Sequence, residues 1–570
     1  MLSFLTCWLG LTLGALIYLG YGFLYKLDVA FQAGKAMIFL VLLAIGRVTY
    51  ALVLYPKYFT PFKYLPTPPR RWLLTGNQTS LFREFPWDVA RRWSETIPNN
   101  GLIRYYVALS NERLLVTSPK GLSKVLVHGA YNYTKTNLAR FAIQRFTGNG
   151  LGFLDGEEHR MQKKGLLPAF ATGHIKRLIP KFWAKAALMV SLIERSLEND
   201  SSKDQRQRSD SPVVPLHYWG TRATLDIIGV VGMGYDFDTL THPHNELSEQ
   251  YRKMFLEPSN AFNWLELLGN YIDFRILLTL PVRKNRELTQ GSQYIRQVAE
   301  RVIHHKIQKQ QRQSEESPPD DDIVAIALAS GTFTEQQLVD HVMTFLVAGH
   351  ESTATAFEWA MYELGRRPAM QSRLREEIRT HISSMQVEGR GTTTAAGTHL
   401  ATTIESLPYL NAVCSEVLRF YPFVPFATRV ASRDNTIQGT FVPKGTVVAF
   451  AAHATNHDAA LWGLDADRFD PERATSNFAS LAFSAGPKSC IGQEWTRAEL
   501  VCLVGATVGR FEIALLNPMD NHLKRGKTIK LRNGVRARVK VVDGCQWGFA
   551  QETIPVPLSR IINLNPSGSS

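Results

Sequence analysis

Two long apolar runs open the chain. Residues 2–25 carry no charge, and a run of that length crosses a bilayer as a helix. It has neither a basic leading segment nor a small-residue cleavage site, which predicts a retained anchor rather than a cleaved signal. A second apolar stretch, residues 36–55, is interrupted by Arg47. It reads either as a second span or as a surface helix whose arginine snorkels to water. Lys57, Lys63, Arg70 and Arg71 follow, and cations beside a span mark its cytosolic side, so the main body is expected in the cytosol. The segment Leu65-Pro66-Thr67-Pro68-Pro69 is then a stiff, non-helical spacer.

Beyond the spacer the pattern is that of a helical globular body. Its most persistent helical period runs over 338–364, entered by the capping box Thr334-Glu-Gln-Gln337 and ended by Gly365 and Pro368. A helix of ~30 residues is about 45 Å long, enough to traverse a large domain. Three polar, aromatic-poor tracts, 199–212, 314–322 and 389–403, are expected to be exposed loops between helices.

Composition narrows the reading. The chain has 570 residues, 45% hydrophobic and 20% charged, which suits one large globular body with an appendage. A net charge of +14 raises nucleic acid as a partner, but the cations are scattered and form no reading motif. An anionic membrane surface or an acidic redox partner is expected instead. Five cysteines (Cys7, Cys414, Cys490, Cys502 and Cys545) lack a framework spacing, as in a reducing compartment.

The candidate chemistry centres on Phe483-Ser-Ala-Gly486-Pro-Lys488-Ser-Cys490-Ile-Gly492. Gly486 and Gly492 permit a tight loop, and the residues from Gln493 onward read as helix. A thiol at a helix N-terminus feels orphan N–H donors and the positive end of the dipole, which favours thiolate. Taken alone, Cys490 also reads as a core cysteine. No second cysteine lies within zinc-ligand spacing, whereas an isolated thiolate can serve as the one axial ligand of a haem.

Other constellations each have a plain reading beside the chemical one. His159 and Lys163, four apart, form a basic helix face. Ala348-Gly349-His350-Glu351-Ser352-Thr353 puts a glycine and an acid beside hydroxyls inside the long helix, a kink with a surface glutamate or a functional cluster. Glu416 and Arg419 have ion-pair spacing, and Arg473 ends Phe469-Asp-Pro471-Glu-Arg473.

Together these resemble the cytochrome P450 family. The cysteine loop is similar to its haem signature, Phe-x-x-Gly-x-Arg-x-Cys-x-Gly, matching four of five fixed positions, with Lys488 where the family has arginine. Residues 348–353 resemble the oxygen-activation motif, with Ser352 in the usual threonine position. Glu416, Arg419 and Arg473 resemble the Glu-x-x-Arg and Pro-Glu-Arg elements. His159 and Lys163 stand where the family has a Trp-x-x-x-Arg, with Pro168 and Phe170 at the family's spacing.

The resemblance implies a mainly α-helical P450 fold with a smaller β-rich region. It implies a membrane anchor over 1–60, a catalytic domain over 61–543 and a tail over 544–570. The implied cofactor is haem b with Cys490 as iron ligand and Phe483, Gly486 and Lys488 in its loop. Arg429, Lys163, Lys488 and His159 would face its propionates, and Ala348 and Gly349 would leave room for oxygen. Glu351, Ser352 and Thr353 would be the catalytic group, and Glu416, Arg419 and Arg473 would be structural. Val424 and Phe426 would border the substrate pocket.

The implied reaction is insertion of one oxygen atom from O2 into an apolar small molecule. Electrons would come from NADPH through a cytochrome P450 reductase, with cytochrome b5 as a further donor. The implied location is the endoplasmic reticulum membrane, with the catalytic body cytosolic and no nucleic acid bound. Rival readings are a P450 that isomerises or dehydrates without external electrons, and a non-catalytic haem-binding protein.

Overall fold

The computed structural model describes residues 29–69, 72, 74–201, 212–251, 253, 274–280, 283–312, 320–382, 394–473, 480–524 and 528–543. The first apolar run and the C-terminal tail lie outside them, as does most of the tract 199–212. Helix α1 (Val29–Thr49) passes into a π-helical segment, Tyr50–Phe59. Among the described residues, Gly34–Phe59 is the one helix long and apolar enough to cross a membrane. Its Met37, Ile38, Leu42 and Ile45 side chains are exposed, which is consistent with a membrane anchor.

The spacer is extended, as its prolines dictate. The Arg104 N–H donates to the Pro66 carbonyl at 2.9 Å and Arg104 Nε to Thr67 Oγ1 at 3.1 Å. Strands β1 (Leu102–Tyr106), β2 (Glu112–Val116), β3 (Tyr133–Lys135), β5 (Ala427–Ala431) and β8 (Val447–Phe450) form one sheet in the order β1-β2-β8-β5-β3. Only β2 and β8 run parallel in it. A second sheet has the order β4 (Val213–Pro215), β10 (Arg536–Val541), β9 (Phe511–Leu515), and β6 (Asn435–Ile437) pairs with β7 (Thr440–Val442) as a hairpin.

The helical body holds the largest core cluster. It contains α2 (Gly156–Leu166), α3 (Thr172–Ser201), α4 (Leu216–Ile227), α5 (Arg283–Arg312), α6 (Glu335–Arg366), α7 (Pro368–Ile382), α8 (Thr394–Ser406), α9 (Pro408–Phe420) and α10 (Gln493–Arg510). Helix α6 is the axis, packed against α4, α5 and α10, while α10 also packs on α3. The capping box is formed: Thr334 Oγ1 accepts from the Gln337 N–H, and Gln337 Oε1 accepts from the Thr334 N–H at 2.9 Å. Gly365 lies inside the last turn, and Pro368 starts α7 at the first helical position, where its missing N–H costs nothing.

One tract expected to be a loop is corrected. Residues 394–406 form α8, with Leu400, Ala401 and Ile404 buried and the helix packed on α3. Apolar side chains at i, i+1 and i+4 on one face outweighed the threonine-rich composition. In 314–322 the described end is a loop, with Asp321 exposed and Asp320 half-buried. Asp322 is buried, caps the next helix through the Ala325 N–H at 3.0 Å, and pairs with the buried Lys306, which also takes Asp320 at 2.8 Å.

Candidate active site

The cysteine loop is closed by its own backbone. The Cys490 N–H donates to the Phe483 carbonyl at 3.0 Å, and the Ser489 N–H to the Gly486 carbonyl at 2.9 Å. Gly486 has φ +72, and a Cβ there would lie 2.3 Å from the Leu126 carbonyl oxygen, so only glycine fits. Gly492 differs from expectation: it has ordinary φ (−85), and a Cβ would meet Cys490 Sγ and the Phe170 ring at 3.9 Å. Its bareness keeps space beside the sulfur clear rather than relieving the backbone.

Helix α10 starts at Gln493, one residue on. Burial raises the Cys490 thiol above its ordinary value, opposed by the Gly492 N–H and the Lys163 charge. The helix-end effect is therefore present but outweighed, and a metal cation at sulfur is what would make the thiolate. Cys490 nevertheless keeps accessible surface, unlike the core residues Cys414 and Cys502.

The middle of α6 is open where its flanks are closed. Residues 338–346 and 353–364 are all buried, but Ala348 is exposed and Ser352 half-buried. Gly349 is tight against α4's continuation, since a Cβ would lie 3.0 Å from Ile228 Cδ1. Ala348 is thus the uncovered small residue of the pair. Ser352 Oγ donates to the Ala348 carbonyl at 2.7 Å, leaving its lone pairs free to accept. Thr353 is fully buried on another side of the helix, beside the carboxyl of Glu499 on α10. Glu351 is an ion-pair partner of Lys530, and its Oε2 lies 4.0 Å from His350 Nε2. Burial pushes the Glu351 carboxyl up, but Lys530 and His350 together outweigh it and hold it below the usual value.

Cations converge on the cysteine loop from three directions. Lys163 Nζ donates to the Pro487 carbonyl at 2.9 Å and the Ser489 carbonyl at 3.2 Å. Lys488 Nζ donates to the Tyr133 carbonyl at 3.0 Å and to Asp155 Oδ1 at 2.6 Å. Lys135 on β3 sits directly opposite Arg429 on β5 in the strand register. Burial, then Arg429, pushes the Lys135 ammonium down to about 7. His159 is buried and bonded through Nδ1 to the Tyr131 hydroxyl at 3.2 Å. Burial, then Lys488 and Lys163, holds its imidazole down to about 4, so it is neutral and can offer an anion only a ring N–H.

Behind the loop lies the ion network. Arg419 forks onto Glu416 with two bonds of 2.7 Å, and Arg473 Nε is 3.7 Å from Glu416 Oε1. The Asp470 N–H also donates to Glu416 Oε1 at 2.9 Å. Asn456, fully buried, donates to the Arg419 carbonyl at 2.9 Å and accepts from the Leu481 N–H at 2.9 Å. That asparagine ties the network to the entry of the cysteine loop. Val424 is exposed, and Phe426 packs against the core.

A family model for cytochrome P450 matches residues 66–537, most of the chain. The chain belongs to the cytochrome P450 family. Three fungal relatives carry the name cytochrome P450 monooxygenase. FSL4 of Gibberella zeae is 55% identical, covering 86% of this chain and 90% of its own. The sphH protein of Aspergillus fumigatus is 41% identical, covering 91% and 96%. FUM15 of Gibberella moniliformis is 34% identical, covering 87% and 91%. The chain is therefore a P450 monooxygenase, with the mainly helical P450 fold.

The residues of this P450 fit the haem that its family implies. Two cations directly opposed across a ladder repel one another, yet Lys135 and Arg429 are so placed, with Lys163 and Lys488 beside them. Asp155 answers Lys488 and Arg140 at 2.6 and 2.5 Å. A group with two carboxylates next to a lone thiol would complete the charge balance, and haem b is such a group. Sequence reasoning missed Lys135, Asp155, Asn456, Glu499 and Lys530, none of which stands in a motif quoted above.

Proposed function

We propose that this P450 inserts one oxygen atom into an apolar small molecule, a secondary metabolite or lipid-like substrate. The balance is RH + O2 + two electrons + two protons → ROH + H2O, with the electrons taken from NADPH through a separate reductase and cytochrome b5 as a further donor. Cys490 would hold haem through its thiolate, and the haem would supply the oxygen-activating iron. Phe483 and Gly486 shape the loop that presents the sulfur, and Lys163, Lys488, Arg429 and Lys135 neutralise the propionates. The Ser352 hydroxyl, beside the uncovered Ala348, positions a proton donor, and Glu351 supplies protons from the far side of the helix. Thr353 supports this turn by packing against α10.

The observation that carries the reading is the acid and hydroxyl at the opening in the middle of α6. An isomerase or a passive haem carrier has no use for them. Helix Gly34–Phe59 supports an anchor in the endoplasmic reticulum, and the cations that follow it support a cytosolic body. The test is a reconstitution with reductase in membranes. A monooxygenase gives product only with NADPH and O2, an isomerase or dehydratase gives it without NADPH, and a carrier gives none under either condition.

A further inference from the structure

Lys530 belongs to no motif, yet it holds the acid of the active-site helix. It comes from a C-terminal hairpin in which Leu523 bridges to Leu531, the Lys524 N–H donates to the Lys530 carbonyl at 2.7 Å and the Arg532 N–H to the His522 carbonyl at 2.8 Å. The hairpin is pinned to α6 by a buried bond of 3.0 Å from Trp359 Nε1 to the Ile529 carbonyl. Trp359 is itself fixed by stacking on Tyr421, with ring centroids 3.7 Å apart. The ammonium next to that pinned residue donates to Glu351 Oε1, and each of the two side chains is only 14% exposed.

Glu351 also lines a small cavity. Glu351 and His350 line it together with Tyr218, Arg222 and Glu249, and its volume is about 50 Å³. That is room for one or a few waters, to which Arg222, Glu249 and Glu351 offer polar partners on an otherwise largely apolar lining. On the other side of the helix turn lies Ser352. We propose that Lys530 is a positioning residue for Glu351, fixing its carboxylate at the edge of this cavity so that protons from water there reach Ser352 through Glu351. The inference rests on the reading of Glu351 as the proton donor.

A second acid explains why one cation suffices. Glu358, two turns further along the same face of α6, is buried and has one carboxyl oxygen without a hydrogen-bond partner. Burial pushes this carboxyl up to about 7, against the pull of Lys530. With Glu358 at least partly protonated near neutrality, it competes less for the ammonium that pairs with Glu351. Without Lys530, burial is opposed only by His350 and Lys524, so the Glu351 carboxyl is expected to shift upward and hold its proton more readily.

The experiment uses the full-length, haem-loaded protein in membranes, as wild type, Lys530→Met, Lys530→Arg, Glu351→Gln and the double variant Lys530→Met/Glu351→Gln. Infrared difference spectra on photolysis of carbon monoxide read carboxyl protonation directly, and hydrogen peroxide released per NADPH reads proton delivery. Lys530→Met is expected to gain a protonated-carboxyl band that disappears in the double variant, with a several-fold rise in peroxide. Lys530→Arg is expected to retain the wild-type spectrum and partition. No new band and an unchanged peroxide ratio in Lys530→Met would overturn the proposal, as would Lys530→Arg behaving like Lys530→Met. Should Lys530→Met fail to fold, Lys530→Gln is read against Lys530→Arg by the same band. If Glu351→Gln uncouples while Lys530→Met changes neither readout, this inference fails alone. If Glu351→Gln leaves coupling intact, the proton role of Glu351 fails instead.

Discussion

Lys135 stands directly across the β3–β5 ladder from Arg429, cation facing cation. Burial, then Arg429 and Lys488, lowers the Lys135 ammonium to about 7, so near neutrality the ligand-free cradle sheds one positive charge. Two propionates would favour the protonated form and raise that value. Haem is therefore expected to be held most tightly below about pH 7, where Lys135 is already charged, and more weakly as pH rises above it. Haem transfer to apomyoglobin, followed between pH 6 and 9, checks this. Lys135→Met should flatten the dependence, and a wild-type rate that falls with rising pH would contradict it.

Lys488 replaces the family's arginine and already bonds Asp155 at 2.6 Å. An arginine at 488 could take Asp155 and a propionate with a planar fork. Lys488→Arg should retain haem as well as the wild type or better in the same transfer assay. Outright loss of haem would show that the lysine is fitted to this site.

The Glu416–Arg419 pair is buried and its partners are complete, so removing one member strands a charge. Arg419→Ala should cost about 3–5 kcal/mol, and Asn456→Ala, which orphans the Leu481 N–H, about 1–3 kcal/mol. Urea unfolding monitored by far-UV dichroism measures both. Asn456→Ala should in addition loosen haem, since Leu481 leads into the cysteine loop.

Much of this was legible because it is local. The capping box of α6, the Glu416–Arg419 spacing and the loop from Phe483 to Gly492 are short patterns whose geometry follows from neighbours in the chain. What was not legible depends on contacts between distant segments. Lys530 meets Glu351, Lys488 meets Asp155, and Asn456 joins Arg419 to Leu481 only after the fold has closed. Helix α8 was misread for the same reason, because its apolar face is satisfied by α3. The burial that raises the Cys490 thiol against the pull of the Gly492 N–H and Lys163 likewise depends on the closed fold and not on the local sequence.

Glu499 lies buried between α10 and α6, with Trp495 Nε1 donating to it at 3.0 Å. Burial pushes its carboxyl up to about 8 despite that bond and Thr353. A raised acid favours the folded state below its unfolded value, and this contribution is lost as pH rises toward about 8. Wild-type Tm should therefore carry a downward slope between about pH 4.5 and 8 from this group. Glu499→Gln should remove the slope and raise Tm at pH 8. An unchanged Tm–pH curve would show that Glu499 is ionised in the fold.

Cys490 as the haem thiolate is the claim on which the rest depends, and the carbon monoxide difference spectrum of the reduced protein tests it most directly. The wild type should show the red-shifted Soret band of thiolate-ligated haem, and Cys490→Ala should lose it while far-UV dichroism reports an intact helical fold. A Cys490→Ala protein that keeps that band would contradict the account.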